Sequence, residues 1–248
     1  MQLLWPTTPA GAVSDADLER LYGYPEDLSQ AWVQVNFVSS ADGAVAVDEL
    51  SEGLSHPADK RIFLLGRLLS DVILVGAGTA RAEGYRGARV SPERAARRVA
   101  LGLSEVPPIA VVTRSGELDP AGPLFTDTKV PPIVLTTEKA PRAALERAGA
   151  EVLVAGADDV DLPRALELLG ERGLYRIDCE GGPTLFGDLI ANDLVDQLCL
   201  TVAPLLAGAG AGRIAFGRPS PEPRRMDLAS LLHEDGFTML RYRRREGG

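Results

Sequence analysis

The chain has few of the residues that build metal centres and disulfide frameworks. It contains two cysteines, Cys179 and Cys199, and two histidines, His56 and His233, among 248 residues. Both cysteines lie within apolar runs, which is typical of buried thiols in a reducing compartment and not of a disulfide-stapled secreted domain. No CxxC pair is present. The sequence therefore predicts neither a disulfide nor a bound metal.

Long hydrophobic runs and positive charge are also scarce. No stretch reaches the roughly 18 apolar residues that a membrane-spanning helix needs, and the N-terminal residues lack the basic and apolar regions of a signal peptide. The formal net charge of −9 argues against nucleic-acid binding. We therefore predict a cytoplasmic protein with no membrane or nucleic-acid partner. A phosphorylated ligand is still allowed, since a few arginines and backbone amides can hold one.

The composition is that of a globular protein with a sizeable core, because 45% of the residues are apolar and 25% are charged. Short apolar runs alternate with helical patterns, which favours a mostly parallel central sheet with helices on both faces. Strands are predicted at 31–40, 71–76, 108–113, 132–137, 150–156, 173–180, 194–204 and 236–245, the last two in an antiparallel C-terminal portion. Helices are predicted at 56–70, 140–149 and 161–173.

The domain organisation follows from the same patterns. We predict a single domain over 1–248 that begins with an N-terminal arm of about 1–29, in which a short helix ends before Pro25. The segment 84–106, rich in arginine and alanine, is predicted to be a surface excursion.

One strand-to-helix junction, DCEGGPTLFGDLI at 178–190, combines two glycines with a proline. Pro183 suits the first turn of a helix, and the N–H groups of Gly182, Thr184, Leu185 and Phe186 should then point out of the helix start. The helix dipole and the glycines would let an anion approach the backbone, with the Thr184 hydroxyl as an extra donor. The junction is either a pyrophosphate cradle or a plain turn that uses glycine for a left-handed conformation.

A second junction of this kind is VILVGAGTARAE at 72–83, with Gly76, Gly78 and then Thr79 at the start of a helical turn. Two such junctions at adjacent strand ends suggest one extended nucleotide across the carboxyl edge of the sheet. The Rossmann fingerprint fits poorly, because Arg81 stands where its third glycine belongs and no acidic residue follows about 20 residues later. The glycine-rich stretch 206–213 is predicted to be a loop.

Four segments carry a family resemblance: SSADG (39–43), DVILVGAGTARAE (71–83), PPIAVVTRSGEL (107–118) and CEGGPTLFGDLIANDLVDQLCLTVAPLLAGAG (179–210). In this order they resemble the RibD C-terminal reductase family, the pyrimidine reductases of riboflavin biosynthesis, whose fold is that of dihydrofolate reductase. The resemblance covers roughly residues 30–245 and is strongest to a stand-alone actinobacterial branch. The HxE and PCxxC motifs of the family's zinc deaminase half do not occur.

The resemblance implies an NADPH-dependent reductase that delivers hydride to C1′ of the ribosylamino group of a pyrimidine phosphate. Arg114 would bind the adenosine 2′-phosphate and so favour NADPH over NADH. The implied cofactor residues are Val38, Gly53, Gly78, Thr79, Glu83, Thr113, Arg114, Ser115, Gly181, Gly182, Pro183, Thr184, Leu185, Phe186, Gly187 and Asp188.

The resemblance also implies substrate contacts by Ser51, Arg67, Arg89 and Glu180. Asp42 in the SADG motif is the candidate catalytic residue, to orient the pyrimidine or mediate proton transfer. The structural alternatives are that Asp42 forms a tight turn, that the two arginines are solvated surface residues, and that Glu180 caps the following helix.

Two departures from the family pattern leave the substrate open. Ala41 replaces the leucine of SLDG, and Glu83-Gly84-Tyr85 replaces a DDP segment that shapes the substrate phosphate site. The substrate is then the phosphorylated riboflavin intermediate, its dephosphorylated form, or another pyrimidine or pterin such as dihydrofolate. A non-catalytic NADP(H)-binding module and a classical Rossmann dehydrogenase are the two competing hypotheses. The resemblance implies a homodimer, with strands 194–204 and 237–244 as pairing elements.

Overall fold

The computed structural model describes residues 1–6, 13–46, 50–210, 212–219 and 222–245. Its strands are β1 (Gln2–Trp5), β2 (Trp32–Ser40), β3 (Val72–Gly76), β4 (Ile109–Val112), β5 (Ile133–Thr136), β6 (Glu151–Val154), β7 (Arg176–Cys179), β8 (Gln197–Ala203), β9 (Met226–Glu234) and β10 (Phe237–Arg244). Its helices are α1 (Asp15–Tyr22), α2 (Pro57–Leu69), α3 (Ala77–Ala82), α4 (Pro92–Ala100), α5 (Pro123–Thr126), α6 (Ala143–Arg147), α7 (Leu162–Gly170) and α8 (Pro183–Ala191). A short 3₁₀ turn covers Ser51–Leu54.

The strands form one sheet in the order β1-β9-β10-β8-β2-β7-β3-β4-β5-β6. The seven strands from β8 to β6 are parallel, whereas β10, β9 and β1 are antiparallel to their neighbours. Alternate residues of β3 face opposite sides: Leu74 packs in the cluster that contains α7 and α8, and Ile73 in the cluster that contains α3, α5 and α6. The predicted α/β fold, with its antiparallel C-terminal portion, is confirmed.

The predicted N-terminal arm is part of the folded body. α1 lies within it as expected, and its Leu18 and Tyr22 are buried in a cluster shared with α2. β1 was not predicted; it pairs with β9 at one edge of the sheet. As an exposed edge strand it lacks the apolar alternation that marks a strand in the sequence. Residues 7–12 of the predicted arm lie outside the described residues.

The segment 84–106 is more than a surface excursion, because α4 carries the fully buried Arg98. The Arg98 guanidinium donates to the main-chain oxygens of Arg67, Leu68 and Ser70 at 2.6, 3.0 and 2.9 Å. These carbonyls end α2 and would otherwise lack partners. Arg98 thereby fixes the C-terminal end of α2, the helix that carries several side chains of the site described below.

Candidate functional site

A cleft of about 640 Å³ opens at the carboxyl end of the parallel strands. Its walls come from the end of β2, the face of α2, α3 and the start of α8. In an open α/β sheet this edge is where ligands bind, since the strands end there and loops and helix starts converge.

The two glycine-containing junctions meet at this edge, as predicted. β7 and β3 are parallel neighbours, and the Gly76 N–H donates to the Gly181 carbonyl oxygen at 2.7 Å. A Cβ at position 182 would stand 2.2 Å from Oγ1 of Thr79. Glycine at 182 therefore avoids a collision with the Thr79 side chain in the first turn of α3.

The start of α8 has free backbone donors, and its first residues, Gly182 and Pro183, line the cleft. In the described part of the chain, the amides of Gly182, Thr184 and Leu185 have no hydrogen-bond acceptor, and Thr184 is exposed. The prediction for Phe186 is wrong: its N–H donates to the Gly182 carbonyl oxygen at 3.0 Å. The two residues are four positions apart, so this bond is the first of the helix. Gly181 adopts a φ of +85°, so the junction has both the left-handed glycine of a turn and the donors of an anion site.

The rest of the predicted 181–188 segment contributes mainly packing. Leu185 and Phe186 are buried in the core, where the Phe186 ring lies 5.2 Å from that of Phe37. A Cβ at Gly187 would stand 2.2 Å from the Phe216 carbonyl oxygen, so Gly187 lets the loop after β8 approach α8. Partial burial raises the pKa of Asp188, and nearby Arg218 opposes this. Pro183 lines the cleft.

The turn after β4 holds the next predicted group. Thr113 is buried and its Oγ1 accepts from the Gly116 N–H at 3.1 Å, while Ser115 Oγ accepts weakly from the Glu117 N–H at 3.4 Å. Arg114 is exposed, and no described carboxylate pairs with it. The turn therefore places the Arg114 guanidinium, which has no described carboxylate partner, at the carboxyl end of the sheet.

Arg67 and Glu180 form the main ion pair of the cleft. Nε and Nη2 of Arg67 donate to Oε1 and Oε2 of Glu180 at 2.6 and 2.7 Å, and the Tyr85 hydroxyl donates to Oε2 at 2.6 Å. The Arg67 guanidinium also lies 4.6 Å from the centre of the Phe63 ring. Burial alone would lower the pKa of Arg67, but the adjacent Glu180 carboxylate holds it above its ordinary value. Burial, followed by the charge of Glu180, raises the pKa of Tyr85.

Two other predicted residues bond to each other at the rim. Ser51 Oγ donates to Glu83 Oε1 at 3.0 Å, which links the 3₁₀ turn to the end of α3. Val38 is half-buried and lines the cleft, whereas the exposed Gly53 does not. Gly78 is exposed, with open space where a Cβ would stand.

Arg89 is outside the cleft, although it lines a small neighbouring pocket together with Arg67. Its guanidinium pairs with Asp127, which also receives Arg86, and Arg89 does not line the cleft. The position of Arg89 favours the alternative of a surface residue. Arg67, by contrast, is in the cleft wall and is not merely solvated.

Asp42 stabilises a loop. Its carboxylate accepts from the Ser40 hydroxyl and from the N–H groups of Ala207 and Gly208, the latter two at 3.1 and 2.8 Å. These bonds, led by that from Ser40, lower the pKa of Asp42 to about 2. The side chain is exposed and does not line the cleft. This geometry favours the turn alternative, since a carboxylate with so low a pKa is a poor proton donor near neutral pH.

Two buried polar residues of the cleft wall were missed by the sequence analysis. Asp59 of α2 is buried, accepts from Ser55 Oγ at 2.9 Å, and has a pKa raised by burial. Asn36 of β2 is buried, and its Nδ2 has no partner among the described atoms. The sequence did contain a signal for each residue. Asp59 places a charge on the apolar stripe of α2, three residues before the buried Ile62, and Asn36 places an amide inside an apolar strand.

Comparison with known proteins decides the family. The family model of the RibD C-terminal domain matches residues 31–236. The chain belongs to this family. A reductase from Archaeoglobus fulgidus, named as acting on 2,5-diamino-6-ribosylamino-4(3H)-pyrimidinone 5′-phosphate, is 31% identical over 194 residues, or 77% of this chain and 84% of that protein. The reductase of the same name from Methanothermobacter thermautotrophicus is 31% identical over 184 residues, or 73% and 82% of the two chains.

Solved structures agree with this RibD C-terminal fold. A pyrimidine reductase-like protein from Corynebacterium diphtheriae has a TM-score of 0.79 at 24% identity and covers 92% of this chain and 98% of its own. The riboflavin biosynthesis reductase of Saccharomyces cerevisiae has a TM-score of 0.69 at 18% identity over 92% and 98% of the two chains. The predicted family and the dihydrofolate reductase-like fold are thus confirmed. Among the described residues, no helix is long and apolar enough to cross a membrane.

Proposed function

We propose that this chain is an NADPH-dependent reductase that delivers hydride to the ribosylamino group of a pyrimidine in riboflavin biosynthesis. One observation carries the proposal: a helix start with free amides opens onto the same cleft as the Arg67–Glu180 pair. Family membership and the names of the relatives support a reductase of this substrate class.

The cofactor side of the cleft fits a dinucleotide. The free amides of Gly182, Thr184 and Leu185 would bind its pyrophosphate, since a helix N-terminus favours anions. The remaining cofactor residues that the resemblance implies stay predictions. Of these, Arg114 would reach the 2′-phosphate, and Val38 would lie at the nicotinamide end of the cleft. When bound, NADPH supplies the hydride.

The protein's part of the chemistry is to bind and orient the reactants. The ribosylamino group in its open-chain imine form has a C1′=N bond; hydride adds to C1′ and one proton adds to the nitrogen, which leaves a ribitylamino group and NADP⁺. Asn36 and Asp59 would face the ring, because the free amide donor suits a ring carbonyl and the carboxyl suits an amino group. Asp42 is tied to its loop, so we do not assign it the proton.

The test is turnover by the purified chain. We expect NADPH oxidation with 2,5-diamino-6-ribosylamino-4(3H)-pyrimidinone 5′-phosphate, with the corresponding uracil, or with their dephosphorylated forms, and product of the expected mass. If dihydrofolate were the only compound turned over, the proposed substrate would change from a pyrimidine to a pterin. Tight NADPH binding without NADPH oxidation in any of these mixtures would support the alternative of a non-catalytic NADP(H)-binding module. The homodimer, the single domain and the cytoplasmic location stay predictions.

A further inference from the structure

We propose that Asp178 of β7 is a positioning residue for the reduction: it keeps a proton at neutral pH, supports α2 at Gly66, and so leaves Arg67 to pair with Glu180 in the cleft wall. This inference rests on the proposed function and deepens it, because it assigns a role to a residue that does not itself line the cleft.

Asp178 is a fully buried acid without a hydrogen-bond partner. It is 0% exposed, and neither of its carboxyl oxygens has a partner among the described atoms. An unpaired carboxylate is far more costly to bury than the neutral acid, so this environment favours the protonated form. Burial, followed by the charge of Glu180, raises the pKa of Asp178 well above its ordinary 3.8, and Arg67 and Gln34 oppose this shift.

The amide opposite Asp178 fits a neutral acid better than a carboxylate. Gln34 of β2 is the direct register partner of Asp178, and its Nε2 has no acceptor among the described atoms. Gln34 Oε1 accepts from Gln197 Nε2 and keeps a second lone pair. A carboxylic acid has one donor and one acceptor, so it matches both ends of an amide, whereas a carboxylate matches only the N–H end.

Asp178 also supports α2 directly. A Cβ at Gly66 would stand 2.5 Å from Oδ2 and 2.8 Å from Oδ1 of Asp178, so the backbone of α2 passes over this carboxyl group with no space for a side chain. The next residue, Arg67, makes the two hydrogen bonds to Glu180. Glu180 follows Asp178 by two residues, which places both acids on one face of the strand. Two successive contacts therefore hold α2 against the end of β7.

The charge of Asp178 decides how strongly Arg67 pairs with Glu180. The charged and titratable groups that interact with Asp178 are Glu180, Cys179, Arg67, Cys199, Tyr24 and Tyr85. Arg67 is the one cation among these described groups. An ionised Asp178 would attract the same guanidinium and repel Glu180, which would weaken the ion pair in the cleft wall. A proton on Asp178 removes that competition.

Infrared spectroscopy detects this proton directly. In protein labelled with ¹³C at the aspartate carboxyl groups, we expect the C=O band of a protonated acid at pH 7.5, and Asp178→Asn should remove it. Asp71→Asn is the matched control, because Asp71 is also largely buried but pairs with Arg176; it should leave the band unchanged. Absence of the band from the wild-type protein at pH 7.5 would overturn the inference, even if no variant folds.

Urea unfolding measures the same proton independently. Because the pKa of Asp178 is raised in the folded protein, the folded state binds a proton that the unfolded state releases. The stability of the wild-type protein relative to Asp178→Asn should therefore fall as the pH rises from the ordinary pKa to the raised one. Below pH 7.5 the ratio of the two unfolding constants should change by about tenfold per pH unit. A ratio that does not depend on pH would contradict a proton held by Asp178.

The KM for the pyrimidine tests the positioning role. Asp178→Ala leaves α2 without its support, and we expect KM to rise by about tenfold while kcat changes less, because the cleft wall binds the substrate and the cofactor supplies the hydride. The conservative variant Asp178→Asn, which has the same shape and no charge, should restore KM. Equal KM values in the two variants would contradict a role for the neutral acid.

The pH dependence links the proton to substrate binding. In the wild-type protein, KM relative to that of Asp178→Asn should rise at the pH where the infrared band disappears, and should stay constant wherever the band persists. A band that disappears without a change in this KM ratio would overturn the inference. A KM ratio that changes while the band persists would also overturn it.

The two proposals fail in different ways. If the wild-type protein oxidises NADPH with none of the pyrimidines, the proposed function fails, and the infrared band and the unfolding ratio still decide whether Asp178 holds a proton. If the wild-type protein turns over a pyrimidine but lacks the band, the proposed function stands and the inference alone fails.

Discussion

Arg67 of α2 and Glu180 at the end of β7 are 113 residues apart in the sequence and are joined by two hydrogen bonds of 2.6 and 2.7 Å. The Glu180 side chain is 1% exposed and that of Arg67 is 23% exposed. This pair fixes α2 against the junction that begins α8. The α2 wall of the cleft and the glycine junction before α8 are therefore held as one unit.

Loss of Arg67 should destabilise the fold. Arg67→Met leaves the buried Glu180 carboxylate without its partner, which we expect to lower the free energy of unfolding by about 3 kcal/mol. Urea denaturation measures this change. The control is Arg245→Met, because Arg245 contacts Asp227 at the same 2.6 Å but both side chains are about half-exposed. That exposed pair should contribute less than about 1 kcal/mol. Equal losses of unfolding free energy in the two variants would show that burial does not determine how much an ion pair stabilises this protein.

Gly182→Ala should disturb the cofactor cradle. Its Cβ would collide with Thr79 Oγ1, so we expect a stability loss of about 1–3 kcal/mol and a weaker affinity for NADPH, measured by fluorescence titration. Adding Thr79→Ala removes the colliding atom and leaves the Thr79 Cβ at an ordinary 3.5 Å. The double variant should regain stability, whereas Gly182→Ala with Thr79→Ser should not. Recovery of stability in both double variants would show that Thr79 Oγ1 is not the atom that collides with the new Cβ.

Arg114→Ala should reduce the preference for NADPH over NADH. Arg114 is exposed and unpaired in the described structure, and a guanidinium bonded to the 2′-phosphate contributes about 1.5–3 kcal/mol, or at least tenfold in affinity. The measurement is the ratio of the dissociation constants of NADPH and NADH. Arg20→Ala is the control, since it removes the same charge from α1, where Arg20 pairs with Asp17. An unchanged ratio in Arg114→Ala would remove this residue from the cofactor site.

Asp59→Asn should stabilise the protein while it reduces activity. Burial raises the pKa of Asp59 above its ordinary 3.8, so its ionised form costs stability at neutral pH and its protonated form does not. We therefore expect a higher Tm at pH 7.5, with the gain shrinking as the pH falls through the raised pKa towards 3.8.

The control variant, Asp227→Asn, should change the stability of the protein in the opposite direction. The hydrogen bond from Arg245 lowers the pKa of the exposed Asp227, so its stability contribution is present above the ordinary pKa and is lost as the pH falls. Asp227→Asn should accordingly lower the Tm slightly at pH 7.5 and have no effect in acid. A gain from Asp59→Asn that does not depend on pH would contradict the burial argument.

Local patterns predicted most of the elements that build the site. The apolar run of β3, followed by Gly76, and that of β7, followed by Gly181, predicted two adjacent junctions, because a buried parallel strand and a glycine turn are both encoded within a few residues. The strands β1 and β9, at one side of the sheet, were missed. Both are partly exposed and carry a weaker pattern, and β1 pairs with a partner more than 200 residues away.

The role of individual charges could not be predicted in the same way. The motif left Asp42 open as a catalytic or a turn residue, and its carboxylate accepts hydrogen bonds from residues 207 and 208, which are 165 and 166 positions further along the chain. Arg98 belongs to a segment that was predicted to be a surface excursion, yet its side chain is buried against the end of α2. The partner of a charged side chain decides whether it is structural, and that partner is set by packing.

Short segments, whose order the chain preserves, are enough to predict the alternation of strands and helices, the two glycine junctions and the family. The folded chain was needed to show that Phe186 uses its amide within the helix, that Arg67 pairs with Glu180, and that Asp59 and Asn36 line the cleft. The physical reason is that hydrogen bonding, burial and pKa depend on groups distant along the chain, which come together only when the sheet and its helices pack.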